Sequence, residues 1–228
     1  SPPPFPPPSR GRVRVGGAQD ELMKPLKTAG SRAGRRTEYF GAYFSSINEL
    51  LKGLDTGAIS AVVDCFLTAR ENKKTIFFIG NGGSAATASH FAQDLGEVGR
   101  KAVCPGFKTR SLTDNISLIS AVGNDYGYDK IFTVQMSEHF GAGDVLVAIS
   151  ASGNSPNVLA AVRLAKKAGG KTVGLIGFDG GKMKDLCDHV IHVKTERGAY
   201  GPVEDVHMIM DHLIASYLIC SLSAGSPA

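Results

Sequence analysis

From Glu38 onward, apolar side chains recur at steps of three and four: Tyr39, Phe40, Tyr43, Phe44, Ile47, Leu50, Leu51 and Leu54. That period marks the apolar stripe of an amphipathic helix. The stripe resumes after Asp55-Thr56-Gly57 with Ile59, Val62, Val63, Phe66 and Leu67, which predicts a second helix. The pattern then changes kind. Three short runs are apolar without alternation: Thr75 to Ile79, Val145 to Ile149 and Thr172 to Ile176. They close, in order, on Gly80-Asn81-Gly82-Gly83-Ser84, on Ser150-Ala151-Ser152-Gly153-Asn154-Ser155, and on Gly177-Phe178-Asp179-Gly180-Gly181. A continuous apolar run suits a strand covered on both faces. Helical patterns over 84–96 and 155–168 separate the runs, Val190 to Val193 reads as one more strand, and Pro202 to about Leu222 reads as a closing helix. This order predicts a three-layer α/β fold around a doubly wound parallel sheet. No internal repeat and no second domain is expected.

Composition changes this picture at one end. Six of the first eight residues are proline, and Gly, Arg and Ser dominate up to about Arg36. Residues 1–37 are expected to be a disordered leader, 38–222 one domain, and 223–228 a flexible tail. The formal charge of +4 is divided unevenly: residues 1–36 carry a balance of +6 and the rest a balance of −2. A slightly acidic body without Trp is a poor match for nucleic acid. Cys65, Cys104, Cys187 and Cys220 are scattered, with no CxxC pair, and read as reduced thiols of a cytoplasmic protein. No apolar run is expected to reach the 18 or so residues that a membrane helix needs.

Ligands of doubly wound sheets bind at the carboxyl ends of the strands. Two of those ends carry glycine and hydroxyl residues just before a helix: Gly82-Gly83-Ser84, and Ser150 to Ser155. Free backbone N–H groups and hydroxyls at a helix N-terminus suit a phosphate. Tight turns and helix caps are the plainer reading of either loop alone. Two such loops together favour the phosphate. Neither is a GxGxxG after the first strand or a GK[ST], so a sugar phosphate fits better than a dinucleotide or P-loop chemistry.

Acid–base groups lie on two of the helices. His90 and Asp94 are four apart and share a face. On the last helix, Glu204, His207, Asp211 and His212 offer carboxylates and imidazoles. At about 100° per residue, His207 and His212 point roughly 140° apart and cannot serve one site, whereas Glu204 and His212 are about 80° apart and two turns along. Either histidine remains a candidate on pattern alone. His139, His189 and His192 have no comparable setting and are given structural or surface roles.

Taken together, Ile79-Gly80-Asn81-Gly82-Gly83-Ser84, Val122-Gly123-Asn124-Asp125-Tyr126-Gly127, Gly143-Asp144-Val145-Leu146, the serine loop 149–155 and Gly177 to Met183 resemble the phosphoheptose isomerases of the SIS (sugar isomerase) superfamily. The resemblance spans about residues 38–222. It implies a flavodoxin-like sheet with long N- and C-terminal helices and a homotetramer whose active sites lie at subunit interfaces. It assigns the sugar phosphate to Ser84, Ser150, Ser152 and Ser155, with Asn81, Gly82, Gly83 and Asn154 alongside. The family's catalytic glutamate falls on Asp94 and its catalytic histidine on His212. The position of its glutamine is Glu204. Zinc, one per subunit, would be held by His90, Asp94, Glu204 and His212.

The implied reaction converts sedoheptulose 7-phosphate to D-glycero-D-manno-heptose 7-phosphate through an enediol(ate), supplying heptose for surface polysaccharides such as lipopolysaccharide. Such a step needs a carboxylate base and an acid at the adjacent oxygen. Other readings are the same chemistry on another sugar phosphate, or a non-catalytic module that binds a sugar phosphate or a replication initiator protein. No nucleic-acid or membrane partner is expected.

Overall fold

The computed structural model describes residues 32–224. Helix α1 spans Arg32–Lys52, α2 Thr56–Glu71, β1 Thr75–Gly80, α3 Gly83–Lys101, β2 Lys108–Ser111, α4 Ile116–Asp125 and α5 Thr133–His139. Then come β3 Val145–Ser150, α6 Pro156–Lys167, β4 Lys171–Phe178, the single turn α7 Met183–Leu186, β5 His189–Lys194 and α8 Tyr200–Ala224. The first helix therefore begins inside the segment expected to be a leader, and the last runs two residues into the expected tail. The Pro-rich start lies outside the described residues.

The five strands are parallel in the order β2-β1-β3-β4-β5. This is the flavodoxin-like order, and its direction reverses between β1 and β3. Side chains alternate across the sheet. Ile76, Phe78, Val145, Val147, Val173 and Leu175 meet α2, α3 and α8 on one face. Phe77, Ile79, Leu146, Ala148 and Ile176 meet the α5–α6 side on the other. Both faces are covered, which is why these runs are apolar throughout. Phe91 of α3 packs on Phe66 of α2 (centroids 5.9 Å apart) and Phe78 of β1 (5.0 Å), locking three elements together. Truncating such a residue to alanine costs about 3–5 kcal/mol.

Polar residues set the joints. The Asp55 carboxylate accepts from Gly57 N and Ala58 N at 2.9 and 3.1 Å and caps α2. Asp144, in one of the motifs above, accepts from Thr75 N at 2.9 Å and Gly141 N at 2.8 Å, tying the start of β1 to the turn before β3.

The apolar periodicity did not reveal β2. It is a four-residue edge strand, Lys-Thr-Arg-Ser, with alternate residues exposed, so it needs no apolar run. Helix α8 corrects the expectation about membrane helices: Tyr200–Ser223 has a mean hydropathy of 1.3 and is long and apolar enough to cross a membrane by length and composition. Its apolar residues have another use here, because Val203, Val206, Met210, Ile214 and Leu218 are buried against the sheet and α3.

Candidate active site

The chain end of β1 turns sharply into α3. Gly82 has φ +54, and a Cβ on Gly80 would lie 2.9 Å from Ser84 Cβ and closer to its backbone. Only glycine tolerates both demands. The turn places nearly buried Ser84 in the first turn of α3, beside the end of β3. There Ser150 Oγ lies 3.3 Å from Ser155 Oγ and 3.5 Å from Ser152 Oγ. Ser155 stands at the N-cap of α6 yet makes no side-chain capping bond. Its hydroxyl is thus not spent on the helix, which weakens the reading of this loop as a mere cap.

Asn81 is held rather than free. It exchanges amide hydrogen bonds with Asn157 at 3.0 and 2.9 Å, and its Oδ1 also accepts from the Tyr128 hydroxyl at 3.0 Å. Asn154 is likewise tied down: Nδ2 donates to Ser152 O at 3.0 Å, and Oδ1 accepts from Lys182 N at 3.1 Å. Both asparagines shape the loops. Asn157, Tyr128 and Tyr200 escaped the sequence reading. Asn157 stands two residues after Ser155, and the spacing Ser-Pro-Asn at a helix start was the available signal.

Asn81, Ser84, Ser150, Ser152, Ser155, Tyr200 and Glu204 line one cleft of about 130 Å³. Gly83 packs under the Glu204 carboxylate, where a Cβ would lie 2.7 Å from Oε1 and closer still to the other oxygen. Burial, with the Asp205 charge behind it, raises the Glu204 carboxyl above its ordinary value. Phe178 at the end of β4 adopts φ 50 and meets the Tyr200 ring edge-on at 5.0 Å. Left-handed backbone at a bulky residue is costly and tends to mark functional sites.

Farther along α3 and α8, a second group gathers. His90 Nε2 lies 3.2 Å from His212 Nε2 and 3.4 Å from Asp94 Oδ2. His212 Nε2 is 3.9 Å from Asp94 Oδ2, and His90 Nε2 is 4.0 Å from Asp211 Oδ2. Ligand atoms of His90, Asp94, Asp211 and His212 all lie within 4.8 Å of one another. Two imidazoles and two carboxylates suit a divalent cation such as zinc. Asp211 is wholly buried, and neither of its carboxylate oxygens has a hydrogen-bond partner. Burial first, then the charge of Asp94, pushes its carboxyl up to about 7.

Glu204 does not join this group. Eight residues separate it from His212, about 12 Å along a helix, and its carboxylate faces Gly83 and the serines instead. Helical spacing put Glu204 and His212 on one face two turns apart, as observed; the ligand role for Glu204 came from the family resemblance, and here Asp211 stands among the donors instead.

His207 is fully buried, with Nε2 3.3 Å from the Ile176 carbonyl oxygen, and burial lowers its pKa to about 4. It is a neutral core histidine, and His212 is the one that meets His90 and Asp94. His192 is turned onto Phe178 O at 3.0 Å.

A larger cavity, about 600 Å³, opens at the opposite end of the sheet, lined by Cys65, Lys74, Val145, Lys171 and His189 among others. It faces the amino ends of the strands, where open parallel sheets do not bind their ligands. Burial raises the Cys65 thiol there to about 11 and that of Cys187 to about 12, which leaves neither as a nucleophile at neutral pH.

Comparison with known proteins agrees with this geometry. The SIS domain family model matches residues 42–177. Phosphoheptose isomerase from Aliarcobacter butzleri is 42% identical over 154 residues, covering 67% of this chain and 79% of that protein. The structure of phosphoheptose isomerase GmhA from Neisseria gonorrhoeae superposes with a TM-score of 0.73 at 31% identity, covering 82% of this chain and 97% of that one. A phosphoheptose isomerase from Francisella tularensis gives the same TM-score, 0.73, at 25% identity, covering 84% and 100%. Its serine-lined cleft at the sheet's switch point therefore has a lineage: the chain belongs to the SIS domain family and, within it, to the phosphoheptose isomerases.

Proposed function

We propose that this chain is an aldose–ketose isomerase that interconverts sedoheptulose 7-phosphate and D-glycero-D-manno-heptose 7-phosphate. One observation carries the reading: the hydroxyls of Ser150, Ser152 and Ser155 converge beside Ser84 at the switch point, and an acid–base group stands farther along α3 and α8. The distance suits the substrate. Glu204 and His212 are roughly 12 Å apart along α8, and an extended seven-carbon chain puts its C1–C2 bond about 8–10 Å from the phosphorus, at bond lengths near 1.5 Å.

In this reading Ser84, Ser150, Ser152 and Ser155 hold the phosphate together with the N-termini of α3 and α6, whose unpaired N–H groups favour an anion. Gly82 and Gly83 allow the close approach. Asn81 and Asn154 fix the loop shapes. Asp94 takes the proton from one carbon, and His212 handles the proton at the neighbouring oxygen. A divalent cation held by the His90–Asp94–His212 group would stabilise the negative charge of an enediolate. Asp94 is one methylene shorter than the family's glutamate, so its reach depends on how the helices are set.

The cleft of about 130 Å³ is small beside the roughly 300–1,000 Å³ of typical small-molecule sites. Phe40 and Phe44 on α1 and Leu213 and Tyr217 on α8 are large, apolar and exposed. Both facts support a homotetramer in which neighbouring chains complete each site. The enzyme would act in the cytoplasm, within a single domain over 38–222, on the route to surface heptose polysaccharides.

The test is NMR of purified protein with sedoheptulose 7-phosphate, with and without zinc. Appearance of the aldoheptose 7-phosphate, abolished in Asp94→Ala, is the expected result. Saturable phosphate shifts without turnover would keep the phosphate site and discard this substrate.

A further inference from the structure

The strongest unexplained feature near the site is Asp211. A carboxylate with no exposure and no hydrogen-bond partner on either oxygen is unfavourable, because it has given up water without replacing its hydrogen bonds. The side chain is aimed at a ready set of donors, with Oδ2 4.0 Å from His90 Nε2. In a tetrahedral zinc site with bonds near 2.0–2.1 Å, neighbouring ligand atoms stand about 3.3 Å apart. The pairs His90–His212 at 3.2 Å and His90–Asp94 at 3.4 Å already have that spacing. Two further pairs, Asp94–His212 at 3.9 Å and His90–Asp211 at 4.0 Å, come to it with a side-chain shift of well under a rotamer change, and all six pairs lie within 4.8 Å.

We propose that Asp211 is a ligand of the divalent cation, completing a His90–Asp94–Asp211–His212 set within one chain in the position that the family resemblance gives to Glu204. Asp211 precedes His212 in sequence, and α3 packs against α8, so the four donors come from two adjacent helices. Glu204, two turns away, stays with the serines and faces the substrate. The orphaned oxygens of Asp211 then have an occupant, and the buried charge has its counter-ion. This assignment rests on the isomerase reading only for the cation's use, not for its binding.

The test is zinc affinity of the full-length, metal-stripped chain, read by competition with a chromophoric chelator, for wild type, Asp211→Asn, Glu204→Gln and His90→Ala. Wild type is expected to bind one zinc per chain. Asp211→Asn should bind at least tenfold more weakly, while its metal-free form melts no lower than wild type because an unpaired charge has gone. Glu204→Gln should stay within about threefold. A purely structural Asp211 would show the opposite: a lower melting temperature without metal and unchanged zinc affinity. Wild-type affinity in Asp211→Asn, a larger loss in Glu204→Gln than in Asp211→Asn, or no zinc binding by wild type would each overturn the proposal. If Asp211→Asn does not fold, Asp211→Leu is read the same way, and Co²⁺ substitution gives a second measure through the intensity of its visible bands. Isomerase assays on the same samples separate the two readings: zinc binding as described without turnover removes the isomerase alone.

Discussion

Gly153→Ala tests whether the serine loop grips the phosphate. Gly153 has φ +59, its N–H donates to Ser150 O at 3.0 Å, and its carbonyl accepts from Met183 N at 3.1 Å. A Cβ there would lie 2.8 Å from the Gly180 carbonyl carbon and closer still to that oxygen. Ordinary contact begins near 3.4 Å, and both partners are backbone, so the two loops must part by on the order of 1 Å. Ser150 is fixed in β3, whereas Ser152 and Ser155 ride on the loop that moves.

Two consequences can be sized. An alanine held in left-handed backbone costs about 1–2 kcal/mol, which at this chain length lowers the melting temperature by roughly 2–8 °C. A misplacement near 1 Å among positioning groups costs up to about a hundredfold in rate. The loss should fall on the KM for the sugar phosphate and on the inhibition constant of inorganic phosphate, with kcat changing less. NMR progress curves and a thermal melt measure all of these. A variant that melts lower but keeps its KM and phosphate inhibition would show that this loop does not hold the phosphate.

Three further outcomes follow from the same structure. His207 has its folded pKa depressed to about 4 from 6.5, so the unfolded chain binds the extra proton between those values. Its contribution is therefore whole above about pH 6.5 and lost as pH falls towards 4, by about 3 kcal/mol; urea melts of wild type and His207→Gln across that window should differ in slope, and equal slopes would count against it. Asn157→Ala removes both amide bonds to Asn81 and should cost about 1–2 kcal/mol with a several-fold rise in KM; an unchanged KM would deny Asn81 its positioning role. Phe44→Asp, at a side chain 72% exposed on α1, should split the proposed homotetramer in sedimentation and lower activity with it, whereas an active variant with the sedimentation of wild type would count against an interface on this face.

Much of this was legible in the sequence because burial on two faces leaves an unmistakable signature. Strands β1, β3 and β4 carry unbroken apolar runs, Ile76 to Ile79, Val145 to Ile149 and Val173 to Ile176, each followed directly by glycine or serine. β2 was not legible, since an edge strand of four residues can be polar and still pair, Thr75 to Lys108 through Phe78 to Ser111. The roles of Tyr128 and Asn157 were hidden for a different reason: their partner Asn81 lies 47 and 76 residues away along the chain. Periodicity put Glu204 two turns from His212 on one face, but could not say which group it joins. Angle around a helix can be counted from sequence, but which neighbour receives the side chain depends on the packing of α8 on α3, and that brings Gly83 to Glu204 and His90 to His212.

The departures from the family pattern make better sense together than singly. Where the family resemblance expects a glutamate, position 94 is an aspartate, one methylene or about 1.5 Å shorter. Where it expects a glutamine, position 204 is a glutamate. Had Asp94 merely been shortened, the imidazoles of His90 and His212 would face a single receding carboxylate. Instead Asp211 supplies a second one from the opposite helix, fully buried and within 4.8 Å of the other donors. The carboxyl of Glu204 is kept two turns away, where burial, and then the charge of Asp205, raises its pKa. The three acidic residues thus divide into a pair beside the two imidazoles and a single carboxyl beside the serines, and α8 carries one member of each kind.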